Sequence, residues 1–221
     1  MNAVAACFGA GTPAAGRACA SAILDRMPVR GAGHRHLAAD DHVAIGAAGA
    51  APGLADASGI ASLAADVRIA NRAGVRAALD ADASQSDAEL ALQAYIRHGD
   101  TFAAMLAGDF ALVIVDRLAR RCLAVRDALG IRPLYYRCDG ARVRIASELG
   151  ALTAPGDRLD ESYLAEALAG DIVVLDATPY AAVPRVPPAH VLIADENGVR
   201  VRRYWQPAAL IQEGSQEDHE E

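Results

Sequence analysis

The chain has 221 residues and a net charge of −7, with acidic residues gathered in its last stretch, EGSQEDHEE. Its hydrophobic fraction of 53% is inflated by alanine, since aromatic residues make up only 5%. This length suits one domain or two small ones and can bury a substantial core. The charge balance excludes a nucleic-acid-binding role, which needs a basic face for phosphate contacts. No apolar run approaches the ~20 residues that span a bilayer, and no basic stretch precedes an apolar run at the N-terminus. A cytoplasmic protein without membrane contact is expected. Cys7, Cys19, Cys122 and Cys138 show no tight spacing and are expected as four reduced thiols.

In chain order, residues 1–9 predict a short apolar strand, 9–16 a turn-rich connector, and 17–27 a helix through Ala18, Ala22, Ile23 and Met27. Residues 30–33 break that helix. His34, His36 and His42, with Asp40 and Asp41, have no metal-site spacing and predict an exposed polar loop, so no metal is expected. Residues 42–46 alternate like a strand, and the Ala/Gly/Pro-rich stretch up to Gly59 reads as a loop. A strand over 63–70 and a helix over 71–79 follow. Ser86-Asp87-Ala88-Glu89 is a helix start, because its hydroxyl or carboxylate satisfies free N–H groups of the first turn.

That helix ends at Gly99-Asp100, and 101–106 predicts a short second one. Residues 110–116 with 122–126, and 134–137 with 143–146, predict two hairpins. A helix over 160–168 opens on an acidic cap. A last hairpin, 190–194 with 199–205, turns at Asn197-Gly198, where both residues tolerate positive φ. Residues 1–207 are expected to form the domain, and 208–221 a disordered acidic tail.

Several blocks in this order resemble one known family. GDFALVIVD (108–116), VRDALGIRPLYY (125–136) and ASEL (146–149) are similar to G-x-F-A-F-A-L-W-D, A-R-D-x-x-G-x-x-P-L-Y-Y and A-S-E-x-x-A-L. VPRVPPAHVL (183–192) and RRYWQP (202–207) resemble the proline-rich hairpin leading out of the same domain. The domain is the N-terminal class II glutamine amidotransferase domain of the asparagine synthetase family. The resemblance implies an α+β fold, the four-layer α/β/β/α sandwich of N-terminal nucleophile enzymes. In the R-D-x-x-G-x-x-P-L-Y-Y block, Gly130 permits a tight turn and Pro133 fixes φ before Tyr135 and Tyr136 re-enter a strand. Arg126 and Asp127 are expected to pair with each other or cap backbone groups.

The resemblance also locates a pocket that departs from its pattern. The family start M-C-G-I-A-G-I-F-G places its nucleophilic cysteine where this chain has Asn2, which offers neither a thiol nor a titratable side chain. Cys7 falls on a strand position taken by isoleucine and is expected to be a small buried thiol. Its unmasking as a new N-terminus is the competing option. The family's N-G-E-I-Y-N strand aligns with 66–71. Asp66 then stands where an asparagine donates to the oxyanion, Val67 where a glycine allows close approach, and Arg68 where a glutamate holds an ammonium group. Arg30, beside Gly31, matches the arginine that clamps the glutamine carboxylate, and Asp87 the aspartate that meets its amino group. Both are expected to be relics, with a helix N-cap as the plain alternative for Asp87.

Loss of the position-2 cysteine is typical of β-lactam synthetases and lasso-peptide cyclases. The wording at 108–111 and 169–171 is closer to the lasso group. The resemblance implies a scaffold half of an ATP-dependent macrolactam-forming ligase, with no catalytic residue and no cofactor in this chain. ATP and Mg belong to a synthetase domain carrying S-G-G-x-D-S, a motif this sequence lacks. Expected partners are that domain, in cis or as a separate chain, a precursor peptide, and a second copy in a homodimer. The alternatives are a glutamine-hydrolysing domain of an asparagine synthetase and a stand-alone amino-acid or peptide-binding module.

Overall fold

The computed structural model describes residues 2–28, 30, 33–49, 53–57, 59–171 and 173–207. The tail 208–221 expected to be disordered, and Gly31, lie outside the described residues. Two antiparallel sheets face each other. The first has strand order β2 (His34–Ala39), β3 (Val43–Gly49), β1 (Ala3–Phe8), β9 (Arg142–Ala146) and β8 (Tyr135–Asp139). The second runs β11 (Gly198–Arg203), β10 (His190–Asp195), β7 (Arg121–Arg126), β6 (Gly108–Asp116), β5 (Ala61–Ile69) and β4 (Gly53–Ala57). Helix α1 (Pro13–Asp25) covers the first sheet, and α2 (Arg72–Leu79) and α3 (Asp87–His98) cover the second. This is the α/β/β/α sandwich.

Side-chain alternation builds the layers. Successive strand residues point to opposite faces, so a strand buried on both sides is apolar throughout. Val4 and Ala6 of β1 enter the inter-sheet layer with Ala47, Ala64, Ala111, Val113, Ala124 and Ala194, while Ala3 and Ala5 face α1. Alanine and branched aliphatic side chains such as Val113, Ile145 and Leu192 thus share the inter-sheet layer, and this is how a chain with few aromatics still closes a core. The larger side chains lie under α2 and α3, where Phe102, Phe110, Leu90, Leu112 and Ile114 pack together.

Local chemistry sets the element ends. Ser86 caps α3 by a full capping box, its hydroxyl accepting from Glu89 N–H while the Glu89 carboxylate accepts from Ser86 N–H. Asp87 is therefore the first helical residue and not the cap. Four further expectations need correction. α1 begins at Pro13, because Thr12 accepts from Ala15 N–H and proline suits the first turn, so the connector is shorter than its glycines suggest. The stretch read as a loop up to Gly59 contains β4, held by pairing to β5 rather than by its own β propensity. His34 and His36 are exposed but sit on edge strand β2, and Asp40 closes its turn by accepting from the N–H groups of His42 and Val43. The helix expected over 101–106 is a 3-10 segment, Gly99–Met105. α4 (Glu161–Ala169) opens on Asp160, as its acidic start implied.

The segment 126–136 ties the two sheets together. Asp127 is fully buried, and its carboxylate accepts from the N–H groups of Leu129, Ile131 and Arg132 and, at longer range, Phe110. Arg126 donates to the carbonyls of Arg132, Val186 and Gly130. Both residues spend their polar atoms on backbone groups, the second of the two roles expected for them. Beyond Pro133, Leu134 and Tyr136 exchange backbone hydrogen bonds with Val186 and Pro184, and Tyr135 bridges Arg185. Gly130 has φ +68°, and a Cβ there would stand 2.8 Å from Pro188 Cγ and 3.0 Å from the Arg126 guanidinium. Gly130→Ala is expected to cost about 1–3 kcal/mol in chemical denaturation, through the unfavourable φ and the displaced arginine.

Candidate active site

Asn2 lies at the entry to β1, beyond the Ala3–Ala48 pair and against Gly49. A Cβ on Gly49, whose φ is +150°, would stand 2.2 Å from Asn2 Oδ1, so only glycine lets the Asn2 amide settle there. A cleft of about 340 Å³ opens beside it, lined by Asn2, Gly53, Leu54, Val67, Ser86, Asp87 and Ala88. Asn2, Val67 and Asp87, distant in sequence, therefore share one cleft. On the neighbouring strand β6, Gly108 packs against β5, where an added Cβ would meet Arg68 O at 2.1 Å.

The Asp87 carboxylate is already engaged. Its Oδ2 accepts from Ile69 N–H at 2.9 Å, and its Oδ1 pairs with Arg72, whose other nitrogen donates to Gln85 O. A ligand ammonium would have to share this carboxylate with an arginine and a backbone donor. Val67 turns toward the core under α3, and Arg68 is exposed.

Asp66 shares the inter-sheet face of β5 with Ala64, and its side chain is 5% exposed. Two guanidiniums flank its Oδ2, Arg132 Nη1 at 3.3 Å and Arg30 Nη1 at 3.9 Å. Arg30 Nε lies 3.6 Å from Glu148 Oε1. The four charges sum to zero inside the protein. An isolated buried carboxylate would be costly, and this arrangement avoids that. Arg30 Nη1 and Asp66 Oδ2 make ion pairs without hydrogen-bond geometry among the described residues. Thus the arginine expected to clamp a carboxylate faces one that belongs to the chain.

Arg132 and Glu148 were not singled out by sequence. Each lies inside a recognisable block, Arg132 at an unspecified position of R-D-x-x-G-x-x-P and Glu148 in A-S-E, and only the fold turns them toward Arg30 and Asp66. Ser147, next to Glu148, is buried and accepts from Val4 N–H, which fastens β1 close to Asn2. Tyr204 seals the Asp127 loop by donating to Arg126 O. Burial, then the Asp127 charge, raises its phenol above the ordinary range.

Among the described residues the cleft offers no thiol, imidazole or amine beside an activated oxygen. The Ser86 hydroxyl is held by Glu89. Nor does any group of three His, Cys, Asp or Glu among the described residues stand ready to hold a metal ion. No described helix is long and apolar enough to cross a membrane.

The family model described as glutamine amidotransferase domain matches residues 1–205. Asparagine synthetase [glutamine-hydrolyzing] 3 of Bacillus subtilis is 30% identical over 124 residues, covering 54% of this chain and 20% of that protein. Amidase chry2 of Gibberella zeae is 31% identical over 122 residues, covering 54% and 18%. The matches thus span about a fifth of these curated relatives' length. Glutamine phosphoribosylpyrophosphate amidotransferase from B. subtilis, complexed with ADP and GMP, superposes with a TM-score of 0.63 at 17% identity, over 93% of this chain and 50% of that one. A structure described as the allosteric regulatory enzyme of purine biosynthesis gives 0.65 at 17% identity, over 93% and 49%. At that identity the likeness is one of fold.

If Asp66 neutralises both arginines, Asp66→Asn should lower stability by about 2 kcal/mol, because two partly buried cations lose their shared partner. Combining it with Arg132→Met should recover part of the loss. A thermal-denaturation double-mutant cycle reads this as a coupling of about 1 kcal/mol, and strictly additive losses would exclude the pairing.

Proposed function

The chain belongs to the glutamine amidotransferase domain family, and we propose that it is a member that has given up glutamine hydrolysis and serves as the scaffold half of an ATP-dependent amide ligase. The observation that carries this reading is Asp66 seated between Arg30 and Arg132, with Asn2 at the entry to β1. A thiolate nucleophile with the chain's own α-amine as base would require a cysteine at the second position. An ionised Asp66 accepts hydrogen bonds and repels a developing oxyanion, where a donor is needed. Asp87 is held by Ile69 and Arg72, and Val67 adds bulk at the cleft. Each departure alone weakens the reaction, and three of the positions, Asn2, Val67 and Asp87, share one cleft.

Ligases that capture an amine already present in their substrate need no ammonia, so such a domain persists for its packing and docking surfaces. Macrolactam formation on a precursor peptide, as in lasso-peptide cyclases, is the form favoured by the Gly108–Ala111 and Ala169–Asp171 wording. The sequence has no S-G-G-x-D-S loop to wrap pyrophosphate, so ATP and Mg are assigned to a synthetase partner and no step here runs through them. The open cleft favours a second reading, a module that binds an amino acid or peptide. Calorimetry with glutamine separates the two: heat that disappears in Arg30→Ala supports the module.

For the leading reading, the purified chain should release no glutamate from glutamine above a buffer control, and release would overturn it. Asn2→Cys alone should remain inactive, because Asp66, Val67 and Arg68 still oppose the reaction. Activity from that single change would show the rest of the pocket to be intact. Reconstitution with an ATP-dependent synthetase domain should give cyclised peptide that depends on this chain and not on added glutamine.

A further inference from the structure

The outer face of the first sheet carries a pair of thiols that the cleft does not use. Ala3, Ala5 and Cys7 alternate toward α1, and Cys7 is fully buried. Its cross-strand neighbours are Ala44 of β3 and Arg144 of β9. Helix α1 crosses at this level: Gly16 lies over Ala44, where an added Cβ would come within 3.1 Å of Ala44 Cβ. The missing side chain lets the helix settle close to the strand. Cys19, one turn further along α1, is partly exposed and packs on the cluster of Ala3, Ala5, Ile23 and Leu24. Its thiol lies near enough to that of Cys7, which faces the same helix, for each to act on the other's proton affinity.

The charges around this pair differ for its two members. Cys7, helped by Arg144 and Arg142, lowers Cys19 to about 7 against the opposing effect of burial. Asp139, which accepts from Arg144 Nε at 3.0 Å, is the negative charge acting on Cys19. Cys7 is pushed well above the ordinary thiol range by Cys19 and by burial. One reachable sulfur on α1 thus lies beside one fully buried sulfur on β1, the positions of an attacking and a resolving thiol in a dithiol.

We propose that Cys7 and Cys19 are an oxidation site for hydroperoxides that closes to a reversible disulfide. The Cys19 thiolate attacks one oxygen of hydrogen peroxide, the O–O bond breaks, hydroxide leaves, and Cys19 becomes a sulfenic acid. The Cys7 sulfur then attacks the Cys19 sulfur. The S–O bond breaks as the S–S bond forms, and the hydroxyl leaves with the Cys7 proton as water. Two thiols lose two electrons to one peroxide, which becomes two waters. The bond fastens β1, which starts beside Asn2, to the helix that leads toward Arg30. Cys122 is buried with its thiol pushed up to about 12, and Cys138 is raised by burial and Asp139, so neither competes as a thiolate.

The test treats the full chain with hydrogen peroxide, blocks remaining thiols with iodoacetamide, and maps peptides by mass spectrometry. A Cys7–Cys19 linked peptide, two hydrogens lighter than the reduced pair and restored by dithiothreitol, is expected. In the untreated chain Cys19 should be alkylated about ten-fold faster than Cys138. Cys7→Ala, an alanine among alanines in β1, should leave Cys19 as a sulfenic acid that dimedone captures. A stable sulfenic acid on Cys19 in the unaltered chain, a link through Cys138 instead, or no oxidation at Cys19 would each overturn the proposal.

Discussion

The fully buried carboxylate of Asp127 holds a chain of dependencies together. Without it, the N–H groups of Leu129, Ile131 and Arg132 would be left unsatisfied in a loop that also crosses between the sheets. With it, the loop closes tightly enough that only glycine fits at position 130, and Arg126 spans from this loop to the carbonyl of Val186. The same closure sets the backbone of Arg132, whose guanidinium then reaches Asp66. A structural hydrogen-bond network thereby places one of the two cations beside Asp66.

Alanine shapes the rest of the sandwich. Small side chains at 6, 47, 64, 111, 124 and 194 interleave in the inter-sheet layer with Val113, Leu134, Ile145 and Leu192. Within each sheet, glycines make room between neighbouring strands, Gly108 against Arg68 O and Gly49 against Asn2. Such a layer tolerates little added volume, since interiors pack at crystal-like density. The polar cluster of Arg30, Asp66, Arg132 and Glu148 involves the same inter-sheet face of β5, and its compensation within the chain is what allows Asp66 to be buried there.

The proposed loss of glutaminase chemistry and the thiol pair lie on opposite faces of the first sheet's central strand. β1 presents Asn2 to the cleft at its start and Cys7 to α1 near its end. A strand hydrogen-bonded on both sides to β3 and β9 is a rigid place for either feature. Its burial explains why Cys7 is a packing residue, as expected, while its nearness to Cys19 could not be inferred from spacing.

Much was legible from local pattern. The alternation of β1, β5, β6 and β7, the capping box at Ser86, the acidic start at Asp160 and the Asn197-Gly198 turn are short-range signals, and each element formed where those signals stood. Strand β4 was not legible, because its Gly, Leu and Ala residues become a strand only through pairing with β5. The identity of Asn2, Asp66, Val67 and Arg68 was a property of sequence alone, and so was the argument that they ill suit glutamine hydrolysis. What Asp66 does instead was decided by tertiary structure. Ion pairing depends on distances of a few ångströms between residues 30, 66, 132 and 148, and only the folded sheets bring those side chains within reach of one another.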